Sequence, residues 1–357
     1  MCNSAPWPVC ALSVLLSLYV GFLVGAAHPA ALPRTASLAA AVAAPAPAPA
    51  PAPAAEPFRA FEDCAPLDWA SAPAAAAPEL LLRSGVFSGS AALNFTLAAP
   101  SAQSSWISHF WGEGMWAPVE TLVFLRVLGA RSPGGVVVDV GVNLGYFSQL
   151  ALSLGAAAVV GFEPQPRARP YLAASARLSA GAARRWALFP CAIGSKRGHV
   201  SMTAPEKWGL AQVDYVDGSK VAHPADSDFG GSDGARTQSV PMVRLSDIVP
   251  SAPVRLLKVD TEGFEVEVFK GVAAELLART ENVVAEVKTR EGRVWLQALL
   301  AGAGFACRQY KEEYGVFIPT KGLAQRGVSE LLSAKLLACD EEGGGAEDFW
   351  FSRRDHP

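Results

Sequence analysis

The sequence has little charge and no excess of either sign. Charged residues make up 18% of its 357 positions, and 30 Lys and Arg against 33 Asp and Glu give a formal net charge of −3. No basic patch with interleaved aromatic residues is present, which removes the usual electrostatic basis for nucleic-acid binding. The six cysteines contain no C-x-x-C pair, so the common zinc-site patterns are absent as well. We predict no nucleic-acid partner and no bound metal.

The most informative stretch is Val136–Gly145, where a β-branched run meets an acid and a glycine-spaced turn. An amphipathic stretch, Tyr146–Leu154, follows at once. This pattern predicts a buried parallel strand, a tight loop and a helix. Gly141 and Gly145 carry no Cβ, which lets a ligand approach the backbone of the loop. Asp139 would lie at the carboxyl end of the strand, where open α/β sheets bind their ligands.

A second acid follows at the distance expected of the next parallel strand. The predicted strand Ala157–Phe162 leads into Glu163, which lies 24 positions after Asp139. A carboxylate there can accept hydrogen bonds from both hydroxyls of a ribose. The loop and the second acid together predict a nucleoside-cofactor site. The alternative is a turn whose glycines serve only the backbone, and the spacing of Glu163 argues against it.

The loop motif indicates which nucleoside binds. Residues Asp139–Gly145 read D-x-G-x-N-x-G, whereas the dinucleotide fingerprint is G-x-G-x-x-G. The leading carboxylate would repel a pyrophosphate but attract the sulfonium and amino group of S-adenosylmethionine. We therefore predict S-adenosylmethionine as the cofactor, with a nicotinamide-dependent oxidoreductase on the same fold as the alternative.

A third segment, Arg255–Arg279, begins with an apolar run and reads K-V-D-T-E-G-F-E over Lys258–Glu265. The run predicts another buried strand, at whose end Asp260 and Glu262 project. Apolar residues at helical spacing from Phe264 onward predict a helix packed on the sheet.

Three motifs in order, at Asp139–Gly145, Phe162–Pro164 and Lys258–Glu265, resemble those of the FkbM-type family of S-adenosylmethionine-dependent methyltransferases. The resemblance extends over about Trp106–Arg354. It implies methyl transfer to oxygen on a small molecule or sugar. The cofactor-binding residues that these motifs predict are Asp139, Gly141, Asn143, Gly145 and Glu163.

Strand and helix patterns alternate from Val136 onward, which predicts an α/β fold with a mostly parallel sheet and helices on both faces. Short closing strands at Phe305–Tyr310, Tyr314–Ile318 and Phe349–Ser352 are too closely spaced for parallel crossovers, and so predict an antiparallel edge pair. This arrangement resembles the class I methyltransferase, or Rossmann-like, fold. Hairpin strands at Gly198–Thr203 and Thr237–Val243 would form an excursion from it.

Methyl transfer to a hydroxyl is an in-line displacement that needs alignment of the reactants and benefits from a base. Asp260, Glu262 and Glu286 end predicted strands near the expected methyl group, and are our candidates for catalytic base or substrate binder. Each acid also has a structural alternative. Asp260 could cap the next helix, and Glu262 could be an acid in the first turn of that helix. Glu286 could pair with Lys258 or Lys288.

The amino terminus predicts membrane attachment. No charged residue occurs from Cys2 to Pro33, and Val9–Ala27 is an apolar run long enough to span a bilayer. Residues 1–33 therefore predict a signal anchor, or a cleavable signal peptide in a secreted or plastid protein. Residues 34–85 are rich in Ala and Pro and predict a disordered stem, which leaves the methyltransferase domain at residues 86–357.

An anchor, a stem and a catalytic domain are the layout of Golgi enzymes, and the sequon at Asn94–Thr96 is consistent with a lumenal domain. This layout favours a membrane protein of the secretory pathway and a glycan or small-molecule acceptor. We expect the segment Lys207–Arg236 to select the acceptor. A non-catalytic, membrane-tethered binding domain is the further alternative. Buried free thiols are the favoured interpretation of the domain cysteines, and a Cys307–Cys339 disulfide is the alternative.

Overall fold

In the computed structural model, the described residues are 64–72, 80–85, 95–100, 116–129, 134–204, 212–216, 219–220, 236–249, 251–310, 336–339 and 348–353. The predicted apolar span, the Ala-Pro repeats and the predicted strand Tyr314–Ile318 lie outside them. Across these ranges, no helix has both the length and the apolar character needed to traverse a bilayer.

The strands in chain order are β1 (Leu80–Gly85), β2 (Phe95–Pro100), β3 (Val136–Val140), β4 (Ala158–Phe162), β5 (Trp186–Phe189), β6 (Ala192–Ile193), β7 (Gly198–Ala204), β8 (Gln212–Val216), β9 (Ser219–Lys220), β10 (Arg236–Val243), β11 (Val254–Val259), β12 (Asn282–Glu286), β13 (Phe305–Tyr310), β14 (Leu336–Ala338) and β15 (Asp348–Arg353). The helices are α1 (Pro118–Gly129), α2 (Tyr146–Ser153), α3 (Arg169–Leu178), α4 (Ala182–Arg185), α5 (Leu245–Ile248), α6 (Glu265–Lys270), α7 (Ala274–Ala278) and α8 (Arg290–Gly302). A short 3₁₀ turn, Pro166–Ala168, precedes α3.

Eight strands form the main sheet in the order β14-β13-β15-β12-β11-β3-β4-β5. Strands β3, β4, β5, β11 and β12 are parallel, whereas β15 runs antiparallel to β12 and β13. The chain moves outward from β3 to β5 and then returns to β11 on the other side of β3. Ligands of open α/β sheets bind at such a reversal of strand order. The predicted mostly parallel α/β sheet of the class I methyltransferase type, with its antiparallel edge, is confirmed.

Alternation along the central strands separates two cores. In β3, Val136, Val138 and Val140 pack into one core, while Val137 packs into the other. The first core receives α6, α7 and α8, and the second receives α1, α2 and α3. Because side chains alternate along a strand, Asp139 must share the face of Val137, beneath α1 and α2.

An inserted sheet follows β5 and has the order β6-β10-β7-β8-β9. Strands β7 and β10 are antiparallel over Gly198–Ala204, which confirms the predicted hairpin. Strand β8 extends this sheet by antiparallel pairing with β7. The side chain of Met202, on β7, is buried and contributes to the cleft described below.

Part of the predicted stem is folded onto the domain. A disulfide joins Cys64 to Cys191, and the indole of Trp69 donates a hydrogen bond to the carbonyl of Trp186. The guanidinium of Arg177 in turn donates to the carbonyl of Trp69. Strand β1, within residues 34–85, pairs with β2. Folded structure therefore begins before residue 86, because a disulfide and buried tryptophan packing hold a segment whose composition alone predicts disorder.

The interpretation of the domain cysteines as free thiols was wrong for Cys191, Cys307 and Cys339. Besides Cys64–Cys191, the structure contains the disulfide Cys307–Cys339, which was the alternative. Cys191 is fully buried. Disulfides of this kind persist in oxidising compartments and are rare in the cytosol.

We expect the Cys64–Cys191 disulfide to stabilise the domain more than Cys307–Cys339. The bonds join cysteines 127 and 32 positions apart, and a longer closed loop removes more entropy from the unfolded chain. Replacing both cysteines of one pair by Ala should lower the free energy of unfolding by about 2–5 kcal/mol, with the larger loss for Cys64 and Cys191. Urea unfolding of the two double variants measures this, and an equal or reversed ranking would contradict it.

Candidate functional site

A cleft of about 620 Å³ opens at the carboxyl ends of β3, β4 and β11. This volume includes solvent at the open mouth of the cleft. The cleft lies at the reversal of strand order, between the loop that follows β3 and the loop that follows β11. The lining residues are Val140, Gly141, Asn143, Phe162, Glu163, Pro164, Gln165, Cys191, Ala192, Ile193, Met202, Asp260, Thr261, Glu262 and Phe264.

The loop after β3 has glycine at 141 because another backbone lies against it. Gly141 has φ +85°, and a Cβ there would come within 1.7 Å of the carbonyl oxygen of Asp260. The amide of Asp260 donates to the carbonyl of Val140, so the two loops also share a hydrogen bond. No side chain can replace this glycine without separating the loops, which lie on the cleft together.

The second glycine of the motif has a different role from the one predicted. Gly145 does not line the cleft. A Cβ there would lie 2.8 Å from the ring of Trp186 and 2.9 Å from Leu172. With φ +90°, Gly145 also begins α2 in a left-handed conformation. Gly145 is therefore required for tight packing and backbone geometry, and not for a close approach to the cleft.

Glu163 is the central acid of the cleft. Its carboxylate is 3% exposed and accepts hydrogen bonds from the amides of Asn143, at 2.7 Å, and Gln165, at 2.9 Å. Burial raises the pKa of Glu163 to about 7, although the two amide hydrogen bonds oppose the shift. The side chain of Gln165 also hydrogen-bonds to this carboxylate. A carboxylate has about four acceptor positions, so at least one remains for a donor from the cleft.

Asn143 presents an unsatisfied acceptor beside this carboxylate. Its backbone is in the left-handed region at φ 54°, which directs its amide to Glu163. The side-chain Oδ1 is buried and has no hydrogen-bond partner among the described residues. A buried amide oxygen without a partner is costly, so this atom is suited to a donor group on a bound molecule.

Asp139 lies behind the cleft, not on its surface. It is fully buried on the face of the sheet that α1 and α2 cover. Its Oδ2 accepts from the hydroxyl of Ser148 at 2.6 Å, and its Oδ1 lies 3.8 Å from Nζ of Lys258. Burial raises the pKa of Asp139, with partial opposition from Lys258. These contacts therefore do not support the prediction that Asp139 contacts a cofactor directly.

Lys258 is a buried cation between the two loops. Its side chain is 1% exposed, and its Nζ lies 3.1 Å from Oδ2 of Asp260 and 3.5 Å from the carbonyl oxygen of Gly141. The ring of Phe147 lies 4.9 Å from Nζ. Burial alone would lower the pKa of Lys258, but Asp260 and Asp139 raise it above its ordinary value. Lys258 is therefore a permanent ammonium at this position.

The three predicted catalytic acids converge. Ligand oxygens of Asp260, Glu262 and Glu286 all lie within 4.8 Å of one another, close enough to hold a metal ion. The ammonium groups of Lys258 and Lys288 already supply cations at this cluster. Asp260 and Glu262 line the cleft, whereas Glu286 lies behind them at the end of β12.

Asp260 and Glu286 differ in protonation. Burial and the neighbouring Asp260 raise the pKa of Glu286 far above its ordinary value. Burial would also raise the pKa of Asp260, but Lys258 and a hydrogen bond with Glu286 lower it. The pair therefore holds one proton on Glu286, which donates to an ionised Asp260, as expected of close carboxyls that cannot both ionise.

Glu262 is the acid whose protonation changes near neutral pH. Burial and the charge of Asp260 raise its pKa to about 7, although the ammonium of Lys288 contacts its Oε2 and opposes the shift. Its backbone has φ 57°, an unfavourable conformation for a residue other than glycine. Glu262 precedes α6, so the alternative, a position in the first turn of that helix, is wrong. Strained residues of this kind concentrate at functional sites.

The sequence did not reveal the role of Glu265. This buried side chain accepts hydrogen bonds from the amides of Thr261, at 2.8 Å, and Gly263, at 2.9 Å. It therefore fixes the loop that carries Asp260 and Glu262. The position of Glu265 at the end of the third motif is the signal that could have identified it.

Of the eight predicted site residues, five line the cleft: Gly141, Asn143, Glu163, Asp260 and Glu262. Asp139, Gly145 and Glu286 lie behind it and support residues that face it. The fold and the cleft define the protein as an α/β protein with a cleft at the switch point of its sheet, next to a cluster of carboxylates.

Comparisons with known proteins identify the family. The family model described as the methyltransferase FkbM domain matches residues 139–316. The chain is 30% identical to methyltransferase sdnD of Sordaria araneosa over 202 residues, which cover 50% of this chain and 76% of that protein. It is 32% identical to 31-O-demethyl-FK506 methyltransferase FkbM of Streptomyces tacrolimicus over 193 residues, covering 48% and 73%. The chain belongs to the FkbM methyltransferase family.

A solved structure of methyltransferase FkbM from Methylobacillus flagellatus is also similar, with 18% identity and a TM-score of 0.28. The match covers 44% of this chain and 34% of that one.

We expect Glu163 to make stability depend on pH. Its pKa is about 7 in the folded protein, against an ordinary value of 4.5, so the folded state binds the extra proton between these values and stability falls as pH rises through them. Relative to Glu163→Gln, wild type should lose roughly 3 kcal/mol between pH 4.5 and 7, and little more above. Urea unfolding across this range, with exposed Glu275→Gln as control, tests the shift. A difference that does not vary with pH would contradict it.

Proposed function

We propose that this protein is an S-adenosylmethionine-dependent methyltransferase that transfers a methyl group to a hydroxyl of a glycan or small molecule. The observation that carries the proposal is the buried carboxylate of Glu163, which lines the cleft and retains acceptor capacity beyond its hydrogen bonds with Asn143 and Gln165. A ribose presents two neighbouring hydroxyl donors that match it. Family membership favours methyl transfer over the nicotinamide-dependent alternative.

The remaining cleft groups fit the same cofactor. Oδ1 of Asn143 is an acceptor without a partner, suited to a hydroxyl or amino donor. Phe162, Ile193 and Phe264 line the cleft and offer an apolar surface to an adenine ring. S-adenosylmethionine supplies an activated methyl group, so these residues need only bind and align it.

Glu262 is our candidate for the general base. It faces the cleft, and a pKa of about 7 suits a group that must accept a proton at neutral pH. Asp260 remains ionised and would orient the acceptor hydroxyl. The protonated Glu286 would act from behind by donating to Asp260, and Lys288 would hold Glu262 in place.

Oxygen as the acceptor atom is supported by one relative, whose name describes a 31-O-demethyl substrate. A glycan acceptor in the secretory pathway is supported by the two disulfides, the apolar amino-terminal run and the sequon at Asn94–Thr96. Attachment to the membrane through residues 1–33 belongs to the same proposal.

Glu163→Ala should weaken S-adenosylmethionine binding by about 1.5–3 kcal/mol, the range for hydrogen bonds to a charged group. Isothermal titration calorimetry measures the loss, and the exposed Glu275→Ala serves as the matched control. Thermal shift with S-adenosylhomocysteine and with NADPH adds a test of cofactor class, because the bound nucleoside stabilises the fold. Unchanged affinity in Glu163→Ala would remove this residue from the site, and stabilisation by NADPH alone would overturn the proposed function.

Glu262→Gln should reduce methyl transfer by about 10²–10⁴-fold, the usual contribution of a positioned base. Binding of S-adenosylhomocysteine should persist, because the substitution removes the group that accepts the proton of the acceptor hydroxyl and leaves the cofactor side of the cleft unchanged. The assay follows label from radioactive S-adenosylmethionine into fractionated glycans and lipids, and uses the active fraction for the variant. In wild type the rate should fall as pH drops below about 7, since a protonated Glu262 cannot act as base. The exposed Glu291→Gln serves as the control. If Glu262→Gln keeps the wild-type rate, Glu262 is not the base.

A further inference from the structure

We propose that Lys258 is a positioning residue that couples the cofactor loop to the acidic cluster. This inference rests on the proposed function, since Lys258 joins the proposed cofactor side of the cleft to its proposed acceptor side. Lys258 itself does not line that cleft. Two of its partners, Gly141 and Asp260, do.

The register of the sheet places this lysine where both loops begin. Lys258 on β11 pairs with Asp139 on β3, and both side chains point to the face beneath α2. From there Nζ reaches Oδ1 of Asp139 at 3.8 Å, Oδ2 of Asp260 at 3.1 Å and the carbonyl oxygen of Gly141 at 3.5 Å. One ammonium group thus contacts the end of β3, the glycine loop and the loop after β11.

The fit between these loops is narrow. The Cβ that Gly141 lacks would lie 1.7 Å from the carbonyl oxygen of Asp260, so the loops are already at backbone contact. Two carboxylates and a carbonyl oxygen meet there, and without a cation they would repel one another in a water-poor setting. Lys258 supplies the attraction that holds the loops at this separation.

A purely structural role makes a different prediction. If Lys258 only neutralised the buried Asp139, removing both charges together would leave the cleft intact, because the unpaired carboxylate would be gone. If Lys258 positions the loops, the double change Lys258→Met with Asp139→Asn should recover stability, yet leave Gly141 and Asp260 without their shared partner. The comparison of the single and double variants therefore separates the two roles.

The experiment uses the full chain and four proteins: wild type, Lys258→Met, the double variant and Lys270→Met. Lys270 is half exposed and pairs with Glu267 on α6, so it controls for the loss of a lysine. Thermal unfolding reports stability. Hydrogen exchange of peptides spanning 141–145 and 260–263 reports loop order without a ligand, and calorimetry reports affinity for S-adenosylhomocysteine.

In the double variant we expect a thermal midpoint near that of wild type, exchange about tenfold faster in both loops, and affinity about tenfold weaker. Wild-type exchange and affinity at a recovered midpoint would overturn the proposal. A wild-type protein that binds no S-adenosylhomocysteine would refute the proposed function, while loop exchange would still decide the role of Lys258.

If neither methionine variant folds, Lys258→Arg provides the comparison. Its planar guanidinium keeps the charge but cannot place it at one point among three acceptors. Faster loop exchange and about tenfold weaker affinity in this variant would support positioning, and wild-type values would overturn it.

Discussion

The backbone contact between Gly141 and Asp260 is the constraint on which the rest of the site depends. It brings the loop after β3 against the loop after β11 and leaves room for no side chain at position 141. The cleft can then present Glu163 and Asn143 on one side and Asp260 and Glu262 on the other. In the proposed reaction, this close approach would place cofactor and acceptor side by side, and such alignment contributes much of the rate in displacement reactions.

Charge is arranged in layers around that contact. Residues that face the cleft, such as Glu163 and Glu262, have a pKa of about 7 because burial opposes their ionisation. Their neighbours are fixed in charge: Asp260, also on the cleft, remains ionised beside the ammonium of Lys258, and Glu286, behind the cleft, keeps its proton. The two groups that gain or lose a proton near neutral pH therefore lie on the cleft, next to groups whose charge does not change.

The sequence predicted the features that depend on a local pattern of residues. It did not predict the features that depend on contacts between distant parts of the chain. The strand–loop–helix around Asn143 and the acid at Glu163 follow from motifs within one chain segment, and both line the cleft as expected. Asp139 faces away because alternation in β3 directs it beneath α2, and its partner comes from β11. The disulfide Cys64–Cys191 spans 127 positions, so neither composition nor spacing could reveal it.

The disulfide at the wall of the cleft limits where the chain can be truncated. Cys191 lines the cleft, and its partner lies upstream of the first strand. A recombinant fragment trimmed to the domain boundary that composition suggests, residue 86, would lose Cys64 and Trp69 together. It would leave Cys191 as a free thiol on the wall of the cleft and remove the indole that packs on Trp186. Truncations that preserve a native pocket must therefore start ahead of Cys64.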